Sequence, residues 1–170
     1  MVNILADLLI KNKAIEFGDF TLASGKKRPY YIDVKSAVTN PALLSAIASA
    51  IAQTYTFDVV AGVAVGGIPL AVATALVTKK PYAIIRAAEK SHGRKEVIIG
   101  QVNGKDVLLV EDVTTSGGSA LYGIGALRAA GARADRVVTV VDRGQGAGEM
   151  LRQHGVSLLP LVNVSEIIKG

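Results

Sequence analysis

Two kinds of hydrophobic pattern alternate along the chain. Short apolar runs rich in valine, isoleucine and leucine are typical of strands buried on both faces of a parallel sheet. These runs lie at 59–63, 82–85, 107–110, 137–141 and 158–161. Longer segments, in which apolar residues recur every three or four positions, predict helices at 3–15, 41–55, 70–77 and 120–130. The alternation predicts an α/β fold with a central, mainly parallel sheet flanked by helices.

Shorter segments complete this pattern. Residues 20–22 and 30–33 predict two short strands joined by a loop with three consecutive cations, and residues 97–99 predict a further strand. Residues 149–154 and 163–169 predict short helices. No linker, repeat or low-complexity segment interrupts the 170 residues, so we expect one domain with a substantial core.

The stretch 107–119 combines a predicted strand, two acids, a small polar loop and the start of a helix. Glu111 and Asp112 follow the apolar run, and a phosphate beside them can be bound by loop N–H groups and the positive end of the helix dipole. The acids suit sugar hydroxyls or a hydrated Mg²⁺ instead. An ordinary strand–turn–helix is the alternative, since neither a Walker A sequence nor Gly-x-Gly-x-x-Gly occurs in this stretch.

Three other places offer groups that bind anions. Residues 64–69 form a second glycine-containing loop between a strand and a helix, although a plain turn explains it too. Residues 86–95 hold four lysines and arginines, a histidine and a glycine, which predicts a basic loop or simply a solvated hairpin tip. Arg143 follows a strand, where its fork can hold a carboxylate or imide in two hydrogen bonds, or pair with Asp142 or Glu149.

Composition narrows the classes of function. No apolar run reaches the ~18 residues of a membrane span, and the N-terminus lacks the features of a signal peptide. The absence of cysteine excludes thiol catalysis and disulfides and suits a cytoplasmic protein. The net charge of +5 favours an anionic ligand. A small polyanion explains it better than nucleic acid, because no arginine-rich helix or aromatic–basic interleaving is present.

Three segments resemble a known family. Residues 107–119 are similar to the phosphoribosyl-diphosphate signature of type I phosphoribosyltransferases. The pattern Phe-Thr-Leu-x-Ser-Gly, followed by Tyr-x-x-Asp at 30–33, resembles the N-terminal hood of orotate phosphoribosyltransferases, and 86–95 resembles their catalytic loop. The resemblance implies the type I phosphoribosyltransferase fold for residues 1–170. The hood is expected at about 1–40 and the core at about 41–170.

The resemblance also implies an activity and its residues. The activity is Mg²⁺-dependent transfer of ribose 5-phosphate from 5-phosphoribosyl 1-diphosphate to orotate, giving orotidine 5′-phosphate and diphosphate in UMP biosynthesis. Lys90, His92 and Asp112 are implied in catalysis, and Thr115 and Arg143 in orotate binding. Those implied to bind the diphosphate donor are Arg86, Lys90, His92, Glu111, Asp112, Val113, Thr114, Thr115, Ser116, Gly117, Gly118 and Ser119. Mg²⁺ is expected to be held mainly through substrate. A homodimer is implied too, with the 86–95 loop acting across subunits.

Three positions depart from the family pattern. Ala23, Gly66 and Ala87 stand where members of the family often carry lysine. Two alternatives therefore stay open: transfer to a purine base, and a non-catalytic regulator that binds the diphosphate donor. The hood and Arg143 argue against the first, and the pair Lys90 and His92 argues against the second.

Overall fold

The computed structural model describes residues 4–21, 23–87 and 96–168. Their strands are β1 (Ile15–Thr21), β2 (Lys27–Ile32), β3 (Val59–Val63), β4 (Tyr82–Ile85), β5 (Ile98–Ile99), β6 (Asp106–Thr114), β7 (Arg133–Asp142) and β8 (Ser157–Asn163). Their helices are α1 (Ile4–Lys11), α2 (Val34–Ala37), α3 (Pro41–Thr54), α4 (Gly67–Thr78), α5 (Gly118–Ala129), α6 (Ala147–Arg152) and α7 (Val164–Ile168). None of these helices is long and apolar enough to cross a membrane.

Six strands form the central sheet in the order β5-β4-β3-β6-β7-β8. Neighbouring strands are parallel except at the edge, where β5 runs antiparallel to β4. The chain moves outward from β3 to β4 and then returns to β6 on the other side of β3. The carboxyl ends of β3 and β6 therefore lie side by side, at the point where the strand order reverses and α/β proteins bind ligands.

Hydrophobic packing fixes the sheet between two layers. Successive residues of β6 face opposite sides: Leu108 and Val110 belong to one core cluster, and Val107 and Leu109 to the other. All five residues of β3 are buried. The predicted α/β class and the mainly parallel sheet are thus confirmed, because only a sheet covered on both faces buries such continuous apolar runs.

The N-terminal segment forms a separate two-stranded antiparallel sheet of β1 and β2. This segment packs against the central sheet, since Leu9, Ile15 and Val34 belong to the same hydrophobic cluster as Val138. The ends of this segment are also joined, because the Asp33 N–H donates to the Ala14 carbonyl at 2.9 Å. We call residues 4–21 and 23–40 the hood.

Several element boundaries differ from the sequence prediction. Strands 59–63 and 82–85 have the predicted bounds, whereas β1 begins at Ile15 instead of 20. The first helix ends at Lys11 because the chain turns through Lys13, which has φ 57°. The strand predicted at 107–110 continues to Thr114, where it still pairs with Asp142 of β7. The two acids therefore lie within β6 instead of after it.

Candidate active site

The central motif lies at the carboxyl end of β6 and leads directly into α5. Gly117, the residue before this helix, has φ 85°, a conformation that side chains disfavour. A Cβ atom there would also lie 3.0 Å from Cε of Met150 and 3.2 Å from Cα of Ala147. Both the backbone conformation and the lack of space therefore require glycine at 117. The turn at this residue lets the N-terminal amides of α5 face the loop.

Glu111 is a buried acid whose side chain points into this motif. Its Oε1 accepts a hydrogen bond of 3.0 Å from the Ser119 hydroxyl, so the strand end and the first turn of α5 are linked. Burial raises the pKa of Glu111 to about 7, and the charge of Asp112 adds to the rise. The Ser119 hydrogen bond and the positive charge of Lys35 oppose it. With a pKa close to neutral pH, this carboxyl group changes its charge in response to small changes in its surroundings.

Thr114 and Asp142 lock the end of β6 to the end of β7. The Thr114 hydroxyl donates a buried hydrogen bond of 2.9 Å to Oδ1 of Asp142. The Arg143 N–H donates to the Thr114 carbonyl at 3.0 Å. These bonds place the Arg143 side chain beside the motif. They also pair Asp142 with Thr114 instead of with Arg143.

A small cavity follows the loop of the motif. We call it the loop cavity; it has a volume of about 150 Å³. Its lining residues are Glu111, Val113, Thr114, Thr115, Ser116, Gly117, Gly118, Ser119 and Ala120. Hydroxyl groups and the amino end of a twelve-residue helix converge there, which is the chemistry of a phosphate site.

A larger cavity of about 510 Å³ lies between hood and core, and we call it the hood cavity. Its lining residues are Tyr31, Ile32, Asp33, Val34, Lys35 and Ser36 of the hood with Asp112, Val113, Thr115 and Arg143 of the core. Val113 and Thr115 line both cavities. Two ligand groups bound in the two cavities would therefore meet at these residues.

The guanidinium of Arg143 is largely unpaired in the hood cavity. The alternative of a strand-end salt bridge is wrong: no ion pair among the described residues includes Arg143, and Glu149 instead pairs with Arg152 at 2.6 Å. Nη2 of Arg143 reaches the Ile32 carbonyl only at 3.5 Å, and its Nε is buried without a partner. A buried donor of this kind favours a ligand that can accept from it.

The second glycine loop packs against the acids of the motif. A Cβ atom on Gly66 would lie 2.4 Å from Cγ of Asp112, and one on Gly62 would lie 2.2 Å from the Gly67 carbonyl oxygen. The backbone of this loop can therefore approach Asp112 only because position 66 carries no side chain. Asp112 therefore packs against the β3–α4 loop on one side and lines the hood cavity.

Comparisons with known proteins show the family of this chain. The family model described as Phosphoribosyl transferase domain matches residues 33–158. An orotate phosphoribosyltransferase from Methanoculleus marisnigri is 60% identical over 170 residues, covering 100% of each chain. One from Methanocorpusculum labreanum is 60% identical over 168 residues, covering 99% of each. This chain belongs to the orotate phosphoribosyltransferase family.

A solved structure of the family has the same fold. The orotate phosphoribosyltransferase of Mycobacterium tuberculosis superposes with a TM-score of 0.81 at 28% identity, over 97% of both chains. The family and the fold predicted from the motifs are thus confirmed. The purine-specific subclass was the weaker alternative, and the relatives just named do not belong to it.

The basic loop predicted at 86–95 begins at a well-anchored residue. Arg86 follows β4, and its N–H donates to the Val97 carbonyl at 2.9 Å, which closes the base of the loop. The Tyr122 hydroxyl of α5 donates to the Arg86 carbonyl at 2.9 Å. Ala87 is exposed beside it. The predicted residues Lys90 and His92 lie outside the described residues.

Sequence reasoning missed two residues of the site, and one contact of a third residue that it had named. Tyr122 supports the base of the basic loop, Lys35 lines the hood cavity, and Gly66 meets Asp112. Lys35 follows the Tyr-x-x-Asp pattern by two positions, so a wider reading of the hood could have included it. The other two contacts join residues far apart in sequence and leave no local signal.

Proposed function

We propose that this chain transfers ribose 5-phosphate from 5-phosphoribosyl 1-diphosphate to orotate, releasing diphosphate and forming orotidine 5′-phosphate in pyrimidine nucleotide biosynthesis. The observation that carries the proposal is the pair of cavities that meet at Val113 and Thr115. One has the chemistry of a phosphate site, and the other presents an unpaired guanidinium. Full-length relatives with 60% identity bear the name of this activity.

The donor is assigned to the loop cavity and to the acids at its edge. Residues 114–119 bind the 5-phosphate through hydroxyls and backbone N–H groups at the start of α5. A carboxylate cannot accept from a phosphate that has no proton, so Glu111 and Asp112 accept from the ribose hydroxyls instead. Val113 follows these acids in the chain and lines both cavities.

The acceptor is assigned to the hood cavity. Arg143 donates two parallel hydrogen bonds to a planar carboxylate or imide, a geometry that lysine does not reproduce. Its buried, unpartnered Nε would gain an acceptor on binding. Thr115 contacts both ligands because it lines both cavities. Orotate presents a carboxylate and an imide on one flat ring, which fits this wall.

The chemical step is displacement at C1 of the ribose. N1 of orotate forms the new bond to C1 and loses its proton to solvent water, while the C1–O bond breaks and its electron pair leaves with diphosphate. Positive charge develops on the ring and negative charge on the diphosphate. Asp112 stabilises the first, and Arg86, Lys90 and His92 stabilise the second. The last two belong to the part of the chain outside the described residues, so their role rests on the family pattern.

Mg²⁺ is proposed as the cofactor, held mainly through the oxygens of the donor. Among the described residues, no three histidines, aspartates or glutamates converge on one point. Asp112 is the acid that remains for a hydrated ion, because Glu111 is buried and bonded to Ser119. The ion would neutralise charge on the departing diphosphate. Donor-mediated binding predicts that the free protein binds Mg²⁺ weakly by calorimetry and more tightly when the donor is present.

A homodimer completes the proposal, with the 86–95 loop acting across subunits. The cations of that loop would then reach the diphosphate of the partner's donor. A dilution series followed by light scattering and activity tests this: activity should fall as the dimer dissociates, and a fully active monomer would contradict it. The chain has no cysteine, and its reaction belongs to nucleotide synthesis, so we place it in the cytoplasm.

The deciding experiment is a spectrophotometric assay of orotate consumption by the purified protein. We expect turnover with the diphosphate donor and Mg²⁺, and loss of turnover when a chelator is added and recovered on adding Mg²⁺ back. Adenine, guanine, xanthine and uracil should be poor acceptors in the same assay. Donor binding without turnover on any base would support the non-catalytic regulator instead.

A further inference from the structure

Lys35 occupies a fixed position on the hood wall of the hood cavity. It lies in α2, whose N-terminal residue Asp33 accepts hydrogen bonds from the Ser36 N–H at 2.9 Å and the Ser36 hydroxyl at 2.7 Å. Val34 next to it is fully buried, and the side chain of Lys35 is exposed. The backbone is thus held from two sides while the ammonium group remains free to meet a ligand.

Lys35 influences nearby acids electrostatically but forms no ion pair with any acid among the described residues. No carboxylate of the described residues lies within 4.0 Å of its ammonium nitrogen. Its field nevertheless acts on Glu111 across the cavity, where it opposes the burial that raises the pKa of that acid. It also adds to the lowering of the Asp33 pKa, which is caused mainly by the hydrogen bonds from Ser36. Lys35 is therefore an unpaired cation close to where the two cavities meet.

Two features assign this cation to the acceptor instead of the donor. Lys35 lines the hood cavity with Arg143 and Thr115, and it does not line the loop cavity, where the 5-phosphate is proposed. An anionic acceptor entering the hood cavity passes Asp33 and Asp112, which repel it. Arg143 offsets one of these charges from the core wall. A second cation from the hood wall offsets the other.

We propose that Lys35 is a second substrate-binding cation of the acceptor site, which together with Arg143 selects a carboxylated pyrimidine over an uncharged one. This inference rests on the proposed function. The ordinary alternative is a solvated surface lysine, whose removal would change neither substrate constant. Lys35 differs from such a residue because its backbone is fixed and it lines the same cavity as the unpaired guanidinium.

The test compares Lys35→Met with Lys105→Met and Lys35→Arg. Lys105 is an exposed lysine at the amino end of β6, away from both cavities, and serves as the matched control. For Lys35→Met we expect the KM for orotate to rise roughly three- to tenfold, as for one partly screened charge contact. The KM for the diphosphate donor should change less than twofold. Lys35→Arg should recover most of the orotate affinity, and Lys105→Met should behave as the unaltered protein.

Salt supplies an independent readout. Raising NaCl should weaken orotate binding to the unaltered protein more steeply than to Lys35→Met, because one of the attracting charges is gone. An unchanged orotate KM in Lys35→Met, or an equal rise for both substrates, overturns the inference while leaving the proposed function intact. Failure of the unaltered protein to consume orotate overturns the proposed function itself.

Discussion

Gly66 and Asp112 are so close that a Cβ atom on residue 66 would lie 2.4 Å from the carboxylate carbon of Asp112. Gly66 has φ −62° and ψ −34°, values that any residue adopts, so the backbone conformation does not require glycine there. The requirement is space for the carboxylate. The absence of lysine at this position is thus a packing property of the site in this chain.

We expect Gly66→Ala to displace Asp112 and lower kcat/KM for the diphosphate donor by at least about tenfold, since misplacement by an ångström can cost ~100-fold. Steady-state kinetics measures the change. Gly125→Ala in α5 is the matched control, because a Cβ there meets no atom within 4 Å. In an Asp112→Ala background, Gly66→Ala should cost little; an undiminished cost there would show that the effect does not pass through Asp112.

Glu111 should make the stability of the ligand-free protein depend on pH. Its pKa rises from 4.5 to about 7 on folding, so the folded protein binds the proton more tightly than the unfolded chain. The resulting stabilisation is complete below pH ~4.5 and is lost as the pH rises through ~7, amounting to roughly 3 kcal/mol at most.

Urea unfolding between pH 5 and pH 8 measures this effect. Glu111→Gln keeps the shape and an acceptor for Ser119 but cannot ionise, so its free energy of unfolding should lack that decline and exceed the unaltered protein's at pH 8. Glu16→Gln, at an exposed position of β1, controls for the general effect of removing a negative charge. Parallel pH curves for Glu111→Gln and the unaltered protein would refute the prediction.

Thr114 and Thr115 are neighbours whose hydroxyl groups we expect to differ in their effect on stability. Thr114→Val leaves the buried Asp142 without its 2.9 Å donor and should destabilise the protein by about 1–3 kcal/mol. Thr115 is exposed and lines both cavities, so Thr115→Val should leave the unfolding midpoint unchanged and raise the KM of both substrates. Chemical denaturation and kinetics on both variants give the answer, and the opposite pattern would reverse the two roles.

Arg143 should show a conflict between binding and stability. Its buried Nε has no partner in the free protein, so Arg143→Met removes an unsatisfied group and should leave the melting temperature unchanged or higher. The same substitution should abolish detectable orotate binding in calorimetry while donor binding persists. Arg143→Lys should restore little, because lysine lacks the two-pronged geometry. Recovery of orotate affinity in Arg143→Lys would mean that charge alone suffices.

Local pattern was enough for the central strands and for the motif. The run at 59–63 was bounded correctly because both faces of β3 are buried, so the whole strand is apolar. The run at 82–85 is also apolar throughout, although Tyr82 is exposed and Ile84 is only half-buried. Glycine at the first position of α4 and α5 hid the true helix starts, since glycine is usually a signal of turns. In β1 the polar residues Glu16 and Asp19 hid most of a strand that lies exposed in a two-stranded sheet.

Long-range contacts explain what local pattern could not give. The extension of β6 through Glu111 and Asp112 depends on pairing with β7, twenty-eight residues away at Thr114 and Asp142. The sequence also does not show that Arg143 lacks an ion-pair partner, because Glu149 is a suitable partner by position. In the structure Glu149 forms its ion pair with Arg152 instead.

The two cavities differ in how the chain builds them. The lining of the loop cavity comes from one continuous segment, 111–120, whereas the hood cavity draws 31–36 from one end of the chain and Arg143 from the other. Substitutions in 31–36 therefore change residues that line the hood cavity and none that line the loop cavity. In evolutionary terms, a lineage can change its choice of base by drift in the hood without losing its donor, and selection can act on the two preferences separately.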